Sequence, residues 1–407
     1  MTEGEFLIVG LAPNGELMSD SPRYSPLNAL HEELGASFTD FAGWQMPVRY
    51  DSDLAEHHAV RASAGIFDIS HMAEIAVHGP EAGAFLDYAL AGKLSSINLG
   101  QAKYSLLLNE DGGIIDDLVV YRLGETRFLV VANAGNRFAA VDALMARVAG
   151  GGRSEGAFDV TVIDESDATS LIAVQGPASL EILLHTVGLS LAEEARSRPE
   201  PTLETVKYYY SLPALFLGHP VLIGRTGYTG EDGFELYIDQ TEAAALWIAL
   251  SEAGEGRGLV PTGLACRDTL RLEAGMPLYG HELGLDTAPV QAGLGRVVAL
   301  GKPGDFVGRA ATERGVSPDA PVLVGLVGEG KRAARADYEV FGRDASSETP
   351  VGTITSGALS PTLGYPVAMA YVHPSVSALG TVVDVDIRGT RLPYTVTQLP
   401  FYRREKN

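Results

Sequence analysis

Two adjacent acids, Asp116 and Asp117, stand inside an apolar run, IIDDLVVYRL, where aspartate is an unfavourable strand residue. Side chains alternate along a strand, so one of the two must face whatever covers the sheet and the other must face away from it. A carboxylate held against a ligand could position it, carry a proton or face a developing positive charge. Acids solvated beside the preceding Glu110-Asp111-Gly112-Gly113 turn are the commoner result of such spacing, and the pair alone leaves both readings open.

Two further stretches carry chemistry. RTGYTGEDGFEL (residues 225–236) is glycine-rich, offers Tyr228 as a flat face with a polar tip, and sets Glu235 inside an apolar run. Its glycines would let backbone approach a flat ligand, although an ordinary turn between strands explains them too. GLACRDTLRLEAGMPLYGHEL (residues 263–283) places Arg267 and Arg271 four apart on one helical face. Such forks suit a carboxylate, and equally a helix salt bridge. The adjacent His57 and His58 diverge by about 100° on a helix, which argues against a shared metal. His71 could donate to a ligand, and donation to backbone is the preferred expectation. Cys266, the one cysteine, reads as a core thiol. Residues 325–332, GLVGEGKR, approach a phosphate loop but put Arg332 where a magnesium-binding hydroxyl belongs, and no Gly-x-Gly-x-x-Gly opens a dinucleotide fold.

The elements that must position these residues follow from period and punctuation. Helices are expected at Ser25–Leu34, capped by Ser25 and left at Gly35, and at Asp53–Ser63, ended by Gly65. Ile66–Val77 reads as one extended segment. Lys103 to Ala132 reads as three adjacent antiparallel strands, the first two joined by the glycine hairpin. A helix at Arg137–Ala149 precedes a Gly150–Gly156 connector. Strand-like runs VTVIDES, SLIAVQG, PVLIGRT and FELYID follow, with helices at Ala178–Val187 and Glu242–Ala253. From Pro321 the chain is short strands broken by Gly and Pro, which suits a small barrel or jelly roll. The class is α+β. A boundary near residue 300 separates a 25–300 region of two interleaved α+β domains, one of them over approximately 71–150, from a 301–407 β-barrel domain. Residues 1–24 read as a flexible leader, with Met18 as a second candidate start.

The chain has 407 residues and a formal charge of -22, from 52 acidic and 30 basic side chains. That surface repels phosphate backbones and anionic headgroups, so nucleic acid and membranes are poor partners. With one cysteine the fold needs no oxidising compartment, and a cytoplasmic address is expected.

The wording and order of nine stations resemble the glycine-cleavage aminomethyltransferase (T-protein) family over residues 26–403. They are FTDFAGWQMPVRY (38–50), GIFDISHMAE (65–74), NEDGGIIDDLVVYRL (109–123), VVANAGN (130–136), AVQGP (173–177), RTGYTGEDGFEL (225–236), CRDTLRLEAGMPLYGHEL (266–283), ITSGALSPTLG (354–364) and PFYRR (400–404). The resemblance implies three domains in a cloverleaf with folate in a central hole. It also implies transfer of an aminomethyl group from the dihydrolipoyl arm of a partner H-protein to tetrahydrofolate, by a monomer without a metal. It selects Asp117 as the catalytic acid. Asn133 and Glu235 would meet the polar pterin edge, Met72, Tyr104 and Tyr228 its flat faces, and Arg267 and Arg403 a carboxylate or backbone near the entrance.

Ala73, Gln291 and Arg296 depart from residues common in the family, at the far wall and docking surface. A tetrahydrofolate-dependent demethylase of a small amine or sulfonium compound is the first rival. A folate-binding iron-sulfur assembly factor is the second, and the cysteine-free loop GYTGEDGFE speaks against it. Folate binding without catalysis is a third, against which Asp117 speaks.

Overall fold

The computed structural model describes residues 22–150, 156–193, 202–343 and 349–404; the expected leader up to residue 21 and most of the glycine connector lie outside them. Among the described residues the strands form a small three-stranded sheet, a five-stranded sheet, a seven-stranded sheet and a closed six-stranded barrel. The architecture is α+β, as expected.

The five-stranded sheet grows from the hairpin. Ala102–Leu108 pairs antiparallel with Ile114–Arg122, which pairs with Arg127–Ala132; Ala73–His78 and Thr161–Asp164 complete it. Gly112 takes φ +86° at the turn, and a Cβ on Gly113 would collide with the Leu285 carbonyl, so both glycines are required. Thr161–Asp164 comes from beyond the connector, so the sheet closes only after the chain has left the expected 71–150 stretch.

Ile66–Val77 is not one strand. Ala64–Asp68 belongs to the seven-stranded sheet and Ala73–His78 to the five-stranded one, with Ile69 to Met72 crossing between them. Both strands are buried on both faces, so neither shows a strict apolar–polar alternation that would mark the sheet change. Gly65 does not end the preceding helix, Asp53–Ala62, but lies inside the next strand, where a Cβ would strike Val60 and Thr262. That helix is capped by Ser52, which accepts from the Ala55 amide at 3.3 Å. The first helix is shorter than expected, Asn28–Glu33, because the Ser25 hydroxyl is turned into the core to donate to the Asp68 carboxylate. Gly35 does make the left-handed exit.

The two large sheets face one another across a buried layer that includes Phe67, Tyr121, Leu129, Val131, Leu171 and Tyr237. Each outer face is covered by helices, which bury cores around Phe85 and Leu144 on one side and Trp247 and Phe234 on the other. The barrel, Val322 to Thr397, docks on the helix Leu264–Glu273 through a separate apolar patch of Leu272, Ala358, Val367 and Met369.

A polar hub fixes this docking. Glu273 accepts from Arg61 Nη2 at 2.8 Å, from Thr362 Oγ1 at 2.7 Å and its amide at 3.0 Å, and from the Ser360 hydroxyl. His57 lies 3.2 Å from the same carboxylate, between the hydroxyls of Thr269 and Thr362. Burial opposes the charge of Glu273, yet these donors hold its carboxyl down to about 2. The Gly325 run is a barrel strand, Val322–Gly328. No helix among the described residues is long and apolar enough to cross a membrane.

Candidate active site

Alternation along Ile114–Arg122 sends Asp116, Leu118 and Val120 to the helix-covered face, and Asp117, Val119 and Tyr121 to the face that meets the other sheet. Asp116 is fully buried. Its carboxylate accepts from the Asn133 amide at 2.9 Å, Asn133 Nδ2 at 2.9 Å and Asn136 Nδ2 at 2.6 Å. Asp117 accepts from the Tyr104 hydroxyl at 3.0 Å and Asn133 Nδ2 at 2.9 Å. Asn133, expected along a pterin edge, thus spends its amide nitrogen on holding both acids, because its place just past Ala132 brings it across from them.

Burial raises both carboxyls, Asp117 to about 6 and Asp116, which also feels the charge of Asp117, to about 8. The two acids titrate as a pair that gives up one proton more easily than both, and Asp117, on the face toward the other sheet, is the more readily ionised of the two. The charge of Asp117 also bears on Tyr209, Tyr228 and Tyr279, which arrive from three other segments; burial is the larger reason these phenols keep their protons. Tyr209 and Tyr279 carried no sequence signal. The first sits in a run of three tyrosines and the second beside apolar residues.

The facing wall is the glycine-rich loop between His219–Gly224 and Gly233–Asp239. Its glycines do a different job from the one expected. Gln175 reaches under the loop, its Nε2 donating to the Thr226 carbonyl at 3.0 Å and its Oε1 accepting from the Thr229 hydroxyl at 3.0 Å. A Cβ on Gly227 or Gly233 would come within 2.0 or 2.4 Å of that amide. Arg61, besides gripping Glu273, donates to the Thr229 carbonyl at 2.7 Å and Glu231 at 2.9 Å, so one guanidinium ties the loop to the barrel hub.

Glu235 shares a strand face with Tyr237. Tyr237 donates to the Tyr121 hydroxyl at 3.4 Å, Tyr121 lies 2.7 Å from the Thr226 hydroxyl, and Thr226 donates to Glu235 Oε2. Burial raises the Glu235 carboxyl, while Thr226 and the charge of Arg267 work against that. Arg267 stacks its guanidinium over the Tyr228 ring, 4.8 Å from the centroid, and among the described residues it has no hydrogen-bond partner. Burial lowers its pKa; Tyr228 and Glu235 counteract. Tyr228 is anchored by its hydroxyl, which donates to the Pro277 carbonyl.

Arg267 and Arg271 therefore part company. Arg271 is buried and engaged by Glu282 at 3.0 Å, Asp268 at 2.8 Å and the Ser356 hydroxyl at 2.8 Å, which leaves it no fork for a ligand. Met72 packs at the edge of the inter-sheet layer. His71 does not donate to backbone from Nδ1, which has no partner among the described residues; its ring meets the edge of Phe41 at 5.2 Å, and burial with the nearby Arg267 charge pushes its pKa down to about 4. Arg403 is exposed, whereas its neighbour Arg404 stands 3.4 Å from Asp232 and stacks on Tyr208 at 5.5 Å. Burial pushes the Cys266 thiol up, in keeping with a core role.

The structure thus gathers Asp117, Tyr104 and Asn133 on one sheet, Glu235 and Tyr228 opposite, and Arg267 and Met72 beside them. An anion, a hydrogen-bonded acid, a flat cationic stack and apolar walls can orient a planar polar ligand and move a proton at one end of it.

The GCVT N-terminal domain family matches residues 27–302, and the glycine cleavage T-protein C-terminal barrel domain family matches residues 322–403. The aminomethyltransferase of Cutibacterium acnes is 57% identical over 382 residues, covering 94% of this chain and 99% of that one. Its counterpart in Streptomyces avermitilis is 53% identical over 395 residues, covering 96% and 100%. The crystal structure of glycine cleavage system aminomethyltransferase T from Bartonella henselae superposes with a TM-score of 0.81 at 37% identity, covering 95% of this chain and 100% of that one.

Proposed function

The chain belongs to the glycine cleavage T-protein family and is an aminomethyltransferase, and from that premise we propose that its acceptor is tetrahydrofolate, held between the two facing sheets, and its donor the S-aminomethyldihydrolipoyl arm of an H-protein. The observation that carries the folate reading is the half-buried Arg267 guanidinium, stacked on Tyr228 in the field of Glu235 with no hydrogen-bond partner among the described residues, while Asp117 reaches the same tyrosine from the other sheet. A half-buried guanidinium with no carboxylate against it, beside acids whose pKa is raised, marks a place for a polar ligand. The products are 5,10-methylenetetrahydrofolate, ammonia and the dihydrolipoyl arm.

Tetrahydrofolate supplies the two nitrogens that receive the carbon, and the protons they lose leave on ammonia and on the lipoyl thiol. Asp117, anionic at neutral pH and steadied by Tyr104 and Asn133, accepts a proton at the reacting end and faces the positive charge that develops on the transferred carbon. Glu235, fed by the Thr226 hydroxyl, accepts from the polar edge of the ring system. Tyr228 and Met72 supply flat apolar contact. Arg267 faces the ligand as a cation and stays planar against Tyr228. The H-protein, like any acidic partner of a chain with charge -22, needs a local cationic patch to dock on.

Two expected results test the assignments. Glu235→Gln weakens tetrahydrofolate binding by roughly tenfold to a hundredfold, the effect of losing a hydrogen bond to a charged group, with a smaller change in kcat; calorimetric titration against wild type checks it, and unchanged affinity removes Glu235 from the site. Turnover falls as pH drops through about 6, where Asp117 takes up its proton. The limb is absent from a pH-rate profile only if Asp117 does not act as the anion.

A further inference from the structure

Glu74 follows the crossing segment that carries His71 and Met72, on the strand Ala73–His78. It is 1% exposed, and neither of its carboxyl oxygens has a hydrogen-bond partner among the described residues. Along that strand Ala73, Ile75 and Val77 enter the helix-covered core, so Glu74 turns to the other face, paired across from Val131 and toward the seven-stranded sheet. The ionisable groups around it are Glu235 and Tyr237 from the facing sheet, Asp164 and Glu165 at the end of the neighbouring strand, and Arg137 from the helix Arg137–Arg147. Arg137 is the one cation of that set. Its guanidinium is taken by Asp164 at 2.7 Å and by Asp167 at 2.6 and 2.8 Å.

A carboxylate at this depth, with no donor and three acids around it, is far costlier than the neutral acid. Burial, the largest influence, accordingly raises its pKa well above the usual carboxylate range. We propose that Glu74 is a buried neutral acid: a carboxyl that keeps its proton behind Glu235, so that negative charge on that side of the inter-sheet space rests on Glu235 alone, where the ligand edge meets it. A second anion there would repel Glu235 and hold it protonated, leaving no acceptor for the ring edge. The inference rests on the folate reading of Glu235.

The test uses the full chain, with infrared spectra of protein carrying 13C-labelled glutamate and titrations with 5-formyltetrahydrofolate, a stable reduced folate, across pH. Glu74→Gln and Glu74→Met are compared with wild type; the methionine brings no unpaired N–H into the layer, so it separates a folding defect of the amide from loss of the proton. A protonated-glutamate carbonyl band is expected in wild type at neutral pH and is lost in both variants. At least one folded variant binds within about threefold of wild type at neutral pH and keeps the midpoint of the acid limb that Glu235 sets. Absence of a Glu74-dependent band overturns the proposal, as does an acid limb displaced by about one pH unit, which would mean that Glu74 had been an anion pressing on Glu235. If the reduced folate fails to bind even wild type, the folate reading falls and the link to Glu235 with it, while the band still reports the proton.

Discussion

Asp117→Asn is expected to lower turnover by roughly 10²- to 10⁴-fold, the range for loss of a positioned proton-handling group, and to leave the protein as stable as wild type or more so above pH about 6. The two halves come from one cause. Burial raises the Asp117 carboxyl from 3.8 to about 6 in the folded chain. A group whose folded pKa is raised favours the fold below its unfolded value, and that contribution is lost as pH rises through the folded value. At neutral pH the ionised acid is therefore a net cost to the fold. Asparagine keeps an oxygen for Tyr104 and Asn133 without the charge. Thermal unfolding on either side of pH 6 reads the stability and single-turnover kinetics read the rate; a variant that is both inactive and strongly destabilised at alkaline pH would make Asp117 a structural acid.

Arg61→Ala is expected to cost about 3–5 kcal/mol, as when one partner of a buried ion pair is removed. Its guanidinium is the donor that reaches both Glu231 and Glu273, and Tyr402 stacks on it with the ring centroid 4.0 Å away. The loss should appear in both of its attachments. Denaturant unfolding becomes easier as the barrel loop around Thr362 loosens, and KM for folate rises as the 225–236 loop that carries Tyr228 and Glu235 loses Thr229 and Glu231. The double variant Arg61→Ala, Glu273→Ala should be less destabilised than the sum of the singles, since each single strands the other's partner. Additive losses would show that the two groups do not act as a pair.

Local rules carried the hairpin, the divergence of Asp116 and Asp117 and the strand-rich barrel, because each depends on period-2 alternation or on a turn whose glycines sit next to it in sequence. They failed where the cause lies far along the chain. Nothing near Ile69 shows that the strand before it and the strand after it join different sheets. Gly65, Gly227 and Gly233 are glycines because Thr262 and Gln175 lie against them in space. Arg267 and Arg271 lie on one helical face, and Glu282 and Ser356, together with the local Asp268, decide that the second is structural. Asn133 was placed on the ligand by resemblance, and its bonds to Asp116 and Asp117 show it first as the residue that orients the acids. Glu74 carried no signal at all, since a single glutamate in an apolar run looks the same whether its side chain reaches water or not.

The most direct test is formation of 5,10-methylenetetrahydrofolate by purified protein from aminomethylated H-protein and tetrahydrofolate, followed together with ammonia. The wild-type chain should produce both in equal amounts and well above the uncatalysed rate, and Asp117→Asn should lose the folate product. Ammonia released without methylenetetrahydrofolate, or a folate product that Asp117→Asn forms as fast as wild type, would contradict the assignment of folate and of Asp117 to this site.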